Sequence, residues 1–562
     1  MDMVVESAQP EHGMRRAWFG RERAPADIAL TYETELGYTF GPAAWGHGFA
    51  SKRKSPAITV WWSRASWFRS VVSSNWSGSS QSARDRCRRA SRRRGPQPGR
   101  GRHARAPVNY VVMLDTGGGP VKSAILTAVI ETAQQRVLSA IDPADLVDLA
   151  SALIRIPSFK TEETPVARFL ERFFRERDYR VDVQEVESGR LQTIATLPGT
   201  GGGASLMLNG HTDINALTRR WRRDPWTPSL EGDRLYGHGV QNMKGGLASI
   251  ITVAEAIRRS GVRPKGDLVI ACVAGETQGG EGTHHLMQSG LRTDAAVVAE
   301  PFGADHLVTV HSGIVHMAIH TYGVTGHIGR LEGTVNAVHK MTAVVDALRS
   351  VTFRHTPRPD LPAFPRLNVG SVIGGRGHDY VLVEPPYIPD LCTVIVDVHF
   401  VPGMTVDGIV ADIRRVLDPL AARDPELRYE IEIPPPDWFR GRRRLVMDPF
   451  DMPIDAPIVR AVAASYRAVT GRDPSKIGTV LPHSYSADDT CHLWKAGIPC
   501  LLYGPGVERG GPDGDDSCVL VSEMVTVTRV LALTALDVCD REPGALAVGP
   551  LPCSDRAGGR VC

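Results

Sequence analysis

Three short apolar runs in this chain each end on a histidine or a carboxylate, and their order along the sequence restricts the fold more than any other feature. Leu206-Met207-Leu208-Asn209-Gly210 leads into His211-Thr212-Asp213. Residues 267–273 lead into Ala274-Gly275-Glu276, and residues 295–298 into Ala299-Glu300-Pro301. Apolar runs of this length bounded by turn residues read as buried strands. Residues 243–259 between them have the pattern of a helix. Strands alternating with helices imply an α/β layer fold with a largely parallel sheet. In such sheets a carboxylate at the C-terminal end of a buried strand sits where ligands bind.

The pattern starts near Ile141. Asp142-Pro143 reads as an N-cap followed by proline at the first helical position, with Leu146, Leu149, Leu153 and Ile154 on one face. Thr164-Pro165 repeats the signal, with Phe169, Leu170, Phe173 and Phe174 on the apolar side. Strand-like runs follow at 180–186, 193–197 and 205–208, and no internal repeat is present. Upstream the character changes. Residues 51–107 hold 15 Lys or Arg against one acid, Asp85, whereas residues from 108 onward carry a net charge of −8. Residues 1–107 therefore read as a disordered basic leader, because Ser/Arg/Gly-rich sequence buries too little apolar surface to offset chain entropy. The favoured reading of the leader is translated upstream sequence, with Met113 as one candidate start. A nucleic-acid-binding arm using the arginines with Trp61, Trp62, Trp67 and Trp76 is an alternative, and a targeting segment is a third.

No apolar run approaches the roughly 20 residues that span a bilayer, so no membrane role is expected. The nine cysteines include no CxxC pair, which argues against a disulfide scaffold or zinc ribbon and suits a cytoplasmic protein.

Each chemistry-bearing motif is weak alone. His211 and Asp213, two apart, suit a metal-ligating imidazole whose second nitrogen is held by a carboxylate, but a turn histidine is more often structural. Tyr236-Gly237-His238-Gly239-Val240-Gln241-Asn242-Met243-Lys244-Gly245-Gly246 lets backbone approach a site closely and lacks the spacing of a phosphate loop. His238 reads as a hydrogen-bonding loop residue, and Trp221 and Trp226 as aromatic cover. Glu281 is a candidate acid offset by four positions from Thr277.

Taken in order, GHTD, WxxDPW, YGxGxxNMKGG, a strand-end Glu before GGxGT, and AEP resemble the zinc-dependent deacylases and carboxypeptidases. That family includes acetylornithine deacetylase, succinyl-diaminopimelate desuccinylase, aminoacylase and glutamate carboxypeptidase. The resemblance runs from about Leu146 to about Val538. It implies an α/β catalytic domain with a mostly parallel mixed sheet flanked by helices, interrupted by a smaller α+β lid that also forms a dimer contact. The expected bounds are 141–307 and 424–540 for the catalytic domain, 308–423 for the lid and 541–562 for a tail.

The resemblance also implies roles. His211 and Glu300 match metal ligands, Asp213 the orienting carboxylate and Glu276 the general base. His327 matches a lid histidine that reaches the neighbouring subunit's site and steadies an oxyanion. Asp489 matches a site-wall motif and Asn336 a lid position, both toward the substrate. Three positions depart from the pattern. The bridging Asp is Asn242, the second of the paired Glu residues is Thr277, and the last histidine ligand has Asp513 as its closest position. His399 stands where an Arg commonly grips the substrate carboxylate. An amide oxygen can ligate a hard cation but supplies no bridging charge. The expectation is one ion per subunit, zinc or else cobalt or manganese. The function expected is metal-dependent hydrolysis of an N-acyl amino acid or short peptide next to a carboxylate, by a homodimer. The alternatives are a metallo-carboxypeptidase and a catalytically impaired relative kept for binding or assembly.

Overall fold

A computed structural model of the chain describes residues 58–60, 110–114, 123–126, 132–219, 221–380, 386–435, 445–506 and 517–549. The chain divides into two units, Met1–Ile130 and Glu131–Cys562. In the first, Ile58–Val60, Tyr110–Leu114 and Ser123–Leu126 form an antiparallel three-stranded sheet. The first of these strands falls inside the leader read as disordered. Ile58-Thr59-Val60 is a β-branched run, which favours a strand. The rest of residues 1–107 lies outside the described residues.

The second unit begins earlier than Ile141. Thr132 and Gln135 form a capping box that opens a helix at Ala133–Ser139. The Asp142 side chain then caps Pro143–Ile154 by accepting from the Ala144 amide. Thr164 is the first residue of the next helix, Thr164–Arg175, rather than its cap. Its hydroxyl donates to the Gly189 carbonyl and accepts from the Leu191 amide instead.

The main sheet has eight strands. From one edge they are Lys476–Gly478, His306–Val308, Cys500–Leu502, Ala295–Val298, Leu206–His211, Leu268–Val273, Arg190–Leu197 and Arg180–Glu187. The central four run parallel, and the last two are antiparallel additions. Central strands with every residue buried need cover on both faces. Helices including Gly245–Arg259, Pro457–Thr470 and Val521–Cys539 share their core. Leu546 is fully buried in the same core, so residues expected to form a tail from 541 belong to the domain through Val548.

The lid is a four-stranded antiparallel sheet in the order Arg366–Gly375, Leu391–Phe400, Gly313–Tyr322, Arg428–Glu432. Helices Ala337–Leu348 and Val406–Arg423 pack on it through Met341, Val344, Ile413 and Leu417. The lid therefore extends past Arg423, its expected end, because Arg428–Glu432 pairs with Gly313–Tyr322. Two short strands, Val310–His311 and Phe450–Asp451, pair where the chain enters and leaves the lid.

Candidate active site

His211 is the last residue of its strand, and the strands on either side run parallel to it. Their ends therefore open on one edge of the sheet, and Glu276 and Glu300 follow them by three and two residues. His211 Nε2 lies 3.6 Å from Glu300 Oε1, 3.9 Å from Glu276 Oε2 and 2.7 Å from Asn242 Oδ1. The sequence-expected ligands His211, Glu300 and Asn242 and the expected base Glu276 thus meet at one point. All four come from different strand ends or loops.

Asp213 stands beside the His211 imidazole as expected, and it does more than orient the ring. His211 Nδ1 donates to the main-chain oxygen of Asp213 at 2.9 Å, while the Asp213 carboxylate stands back at 3.5 Å. This bond fixes the ring so that Nε2 faces Glu276 and Glu300. The Asp213 carboxylate also accepts from the amides of Glu276 and Thr277, at 3.0 and 3.1 Å, and from the Thr277 hydroxyl. It ties His211 to the turn that carries Glu276. Thr277, which stands where a second ligand was expected, is committed to this tie.

Burial disfavours charge on His211, but the Asp213, Glu300 and Glu276 carboxylates outweigh it and hold the imidazole well above the usual histidine range. Burial pushes Glu300 well above the usual carboxylate range, aided by Glu276, Asp488 and Asp489 and opposed by His211. Burial does the same to Asp489, with Glu276 the largest carboxylate neighbour. Three carboxylates, Asp213, Glu276 and Glu300, thus lie within 4 Å of one imidazole, and Asp489 adds a buried fourth in the same charge cluster. Glu300 Oε1 and both Asp489 oxygens are buried with no hydrogen-bond partner.

Unfilled acceptors and surplus negative charge suit a divalent cation, and the donor set of imidazole nitrogen, carboxylate and amide oxygen fits one. Among the described residues no three His, Cys, Asp or Glu side chains already form a ligand cluster. The expected fourth position, Asp513, falls in residues 507–516, outside the described residues. The strand leading there is in place beside the cluster, since the Tyr503 amide donates to the Val298 carbonyl at 2.9 Å.

The remaining candidates are not gathered at His211. Asn336 caps the helix Ala337–Leu348, its oxygen accepting from the Val338 and His339 amides. His399 lies on the lid sheet, with Nδ1 donating to the Tyr485 carbonyl at 2.6 Å and Nε2 3.0 Å from Asp397. His327 is exposed on a lid loop, where its Nδ1 accepts from the Gly329 amide and its ring meets Tyr387. Glu281 is drawn away from the site by Arg190 at 2.7 Å. His238 behaves as read: Nε2 donates to the Asn215 carbonyl at 2.7 Å, and Phe159, Trp221 and Trp226 surround the ring. Sequence reasoning missed Arg190 and Gln192. Their signal was two long polar side chains, two apart, on one face of a strand otherwise made of apolar residues and threonine.

Comparison with known proteins agrees with this arrangement. The model of "Peptidase family M20/M25/M40" matches residues 207–537. N-formyl-4-amino-5-aminomethyl-2-methylpyrimidine deformylase of Bacillus subtilis (strain 168) is 26% identical over 433 residues, covering 71% of this chain and 95% of that protein. Acetylornithine deacetylase of Klebsiella pneumoniae (strain 342) is 30% identical over 305 residues, 52% and 76% of the two chains. Among solved structures, the di-peptidase Dug1p from Saccharomyces cerevisiae superposes with a TM-score of 0.59 at 14% identity, covering 72% of this chain and 98% of its own. Human carnosine dipeptidase 1 does so at 0.57 and 14%, covering 72% and 99%. These two likenesses show the fold. With the matched residues spanning more than half its length, and His211, Glu276 and Glu300 at adjoining strand ends, the chain belongs to peptidase family M20/M25/M40 and is a metal-dependent amide-bond hydrolase.

Proposed function

We propose that the protein removes an acyl group from a small N-acylated amine, or cleaves a short peptide, next to a carboxylate. The observation that carries this reading is the approach of Glu276 and Glu300 to His211 Nε2, at 3.9 and 3.6 Å. Two relatives whose names denote a deformylase and a deacetylase support the deacylase form over the carboxypeptidase form. A divalent cation, zinc in this reading, would be held by His211 Nε2, Glu300 and the Asn242 oxygen, and would polarise the carbonyl and acidify water.

The chain's own residues supply the rest. The Asp213 carbonyl keeps the proton of His211 on Nδ1. Glu276 takes the proton of the attacking water at its carboxylate and returns it to the leaving amine. Asp213 holds the Glu276 turn through two amides. In a homodimer formed through the lid, the partner subunit's His327 would meet the oxyanion. The six described free cysteines are in keeping with a cytoplasmic protein.

The test is a panel of N-formyl, N-acetyl and N-succinyl amino acids and dipeptides, assayed with zinc, cobalt or manganese. At least one substrate should turn over, and Glu276→Gln should lower its kcat about a thousandfold. If no panel member reacts with any metal, the proposed substrate class is overturned.

A further inference from the structure

The turn that carries Glu276 is held from two sides. Asp213 grips its front, as described. Its back rests on the strand Arg190–Leu197, where Arg190 and Gln192 point to one face. Gln192 Nε2 donates to the Gly282 carbonyl at 3.1 Å, and Gln192 Oε1 accepts from the Ala274 amide at 3.3 Å. One fully buried side chain thus closes both ends of the stretch 274–282. A β-carbon at Gly282 would come within 2.3 Å of Gln192 Oε1, so this backbone lies directly on the amide.

Arg190 is 3% exposed. Its Nε and Nη2 grip Glu163, and Nη1 donates to Glu281 at 2.7 Å and to Glu187 at 3.3 Å. Gly275, the residue before Glu276, has φ +70°, and a β-carbon there would meet Arg190 Nη2 at 2.6 Å. Buried ion pairs of this kind are weak stabilisers, because desolvation cancels much of the attraction. Their geometric fixity is what remains.

We infer that Arg190 and Gln192 are positioning residues that set the place of the Glu276 carboxylate relative to His211. The inference rests on Glu276 being the base. Neither side chain touches His211 Nε2 or Glu300. Both act through the main chain on either side of Glu276, by closing the turn (Gln192) and by backing Gly275 and anchoring Glu281 (Arg190). Displacements of about 1 Å in a catalytic group cost about a hundredfold in rate, so removing either support should register in kcat.

The test compares Arg190→Lys, Arg190→Met, Gln192→Leu and Glu281→Gln with the parent on the best panel substrate. Thermal midpoint and metal content are measured on the same preparations. The expected result is a kcat lowered about a hundredfold in Arg190→Met and Gln192→Leu. KM should stay within about threefold and metal per chain should not change, at a temperature where each variant is folded. Arg190→Lys and Glu281→Gln should fall between. Should Arg190→Met fail to fold, Gln192→Leu and Glu281→Gln decide alone. Parental kcat in folded Gln192→Leu and Glu281→Gln overturns the inference. So does a rate loss matched by loss of bound metal. Glu276→Gln separates the two claims. If it is inactive while the supports are dispensable, the base reading stands and the positioning role falls. If Glu276→Gln is fully active, the base reading fails first.

Discussion

At the residue scale, hydrogen-bond partners explain what the half-buried Asn242 and Thr277 and the buried Lys244 do. Asn242 and Thr277 replace carboxylates expected from the resemblance. Both are taken up by hydrogen bonds to charged neighbours, Asn242 with the His211 imidazole and Thr277 with the Asp213 carboxylate. The protein should therefore bind about one divalent ion per chain, and Asn242→Asp combined with Thr277→Glu should raise that number; metal analysis of dialysed protein checks both. Two ions of similar affinity in the parent would mean that a ligand lies in residues 507–516. Lys244 is fully buried, and burial pulls its ammonium down to about 7. That shift reflects burial alone. The ammonium also donates to the Leu153 carbonyl at 3.0 Å and the Ile156 carbonyl at 2.7 Å, at the end of the helix Pro143–Ile154. Cations satisfy helix C-terminal carbonyls in this way. Lys244→Met should cost about 3 kcal/mol, since two buried acceptors lose a charged donor, and urea unfolding midpoints would show it. A loss below about 0.5 kcal/mol, the range of neutral surface changes, would mean that water replaces the ammonium.

Elements that depend on local pattern were legible in the sequence, and elements that depend on distant partners were not. The strand Ala295–Val298 and the helix opened by Asp142 stand where the apolar spacing puts them. The strand Arg190–Leu197 begins three residues before its apolar run, because Arg190 and Gln192 are buried by contacts with residues about 90 positions away. The lid strand Arg428–Glu432 escaped notice because three of its five residues are charged and exposed, and its pairing with Gly313–Tyr322 spans more than 100 residues. Within the site, His211, Glu276 and Glu300 were readable as strand ends, whereas the main-chain role of Asp213 was not, because no residue type encodes a carbonyl contact. Asn336 shows the same limit from the other side. Its motif position suggested substrate, and the structure gives it the N-cap of Ala337–Leu348. Asn336→Ala should destabilise the protein by about 1 kcal/mol, and Asn336→Asp should restore most of it. KM should be unchanged in both. A KM raised tenfold by Asn336→Asp, which keeps the cap, would return the residue to the substrate.

At the scale of the whole molecule, a strongly basic segment, residues 51–107, precedes a remainder of net charge −8. Glu131–Cys562 forms one unit and Met1–Ile130 the other. The second unit carries its own helix start signal: the Thr132–Gln135 capping box satisfies amides at the start of Ala133–Ser139, and Val137 is fully buried in the main core. Every residue assigned to the active site, to its supports and to the lid lies in this unit. Residues 131–562 alone should therefore fold and hydrolyse the same substrate with unchanged kcat and KM. The thermal midpoint should lie within about 2 °C of the full chain's, which for a domain of this size corresponds to less than about 2 kcal/mol. The charge of the front makes a second measurement informative. Fifteen Lys or Arg within residues 51–107 should give the full chain a salt-dependent affinity for single-stranded nucleic acid if the segment is a binding arm, and the shortened protein should lose it. Unchanged stability and activity, with no nucleic-acid affinity in either form, would leave the front without a part in this enzyme. A midpoint lowered by several degrees on removing residues 1–130 would instead make the three strands Ile58–Val60, Tyr110–Leu114 and Ser123–Leu126 a working part of the fold.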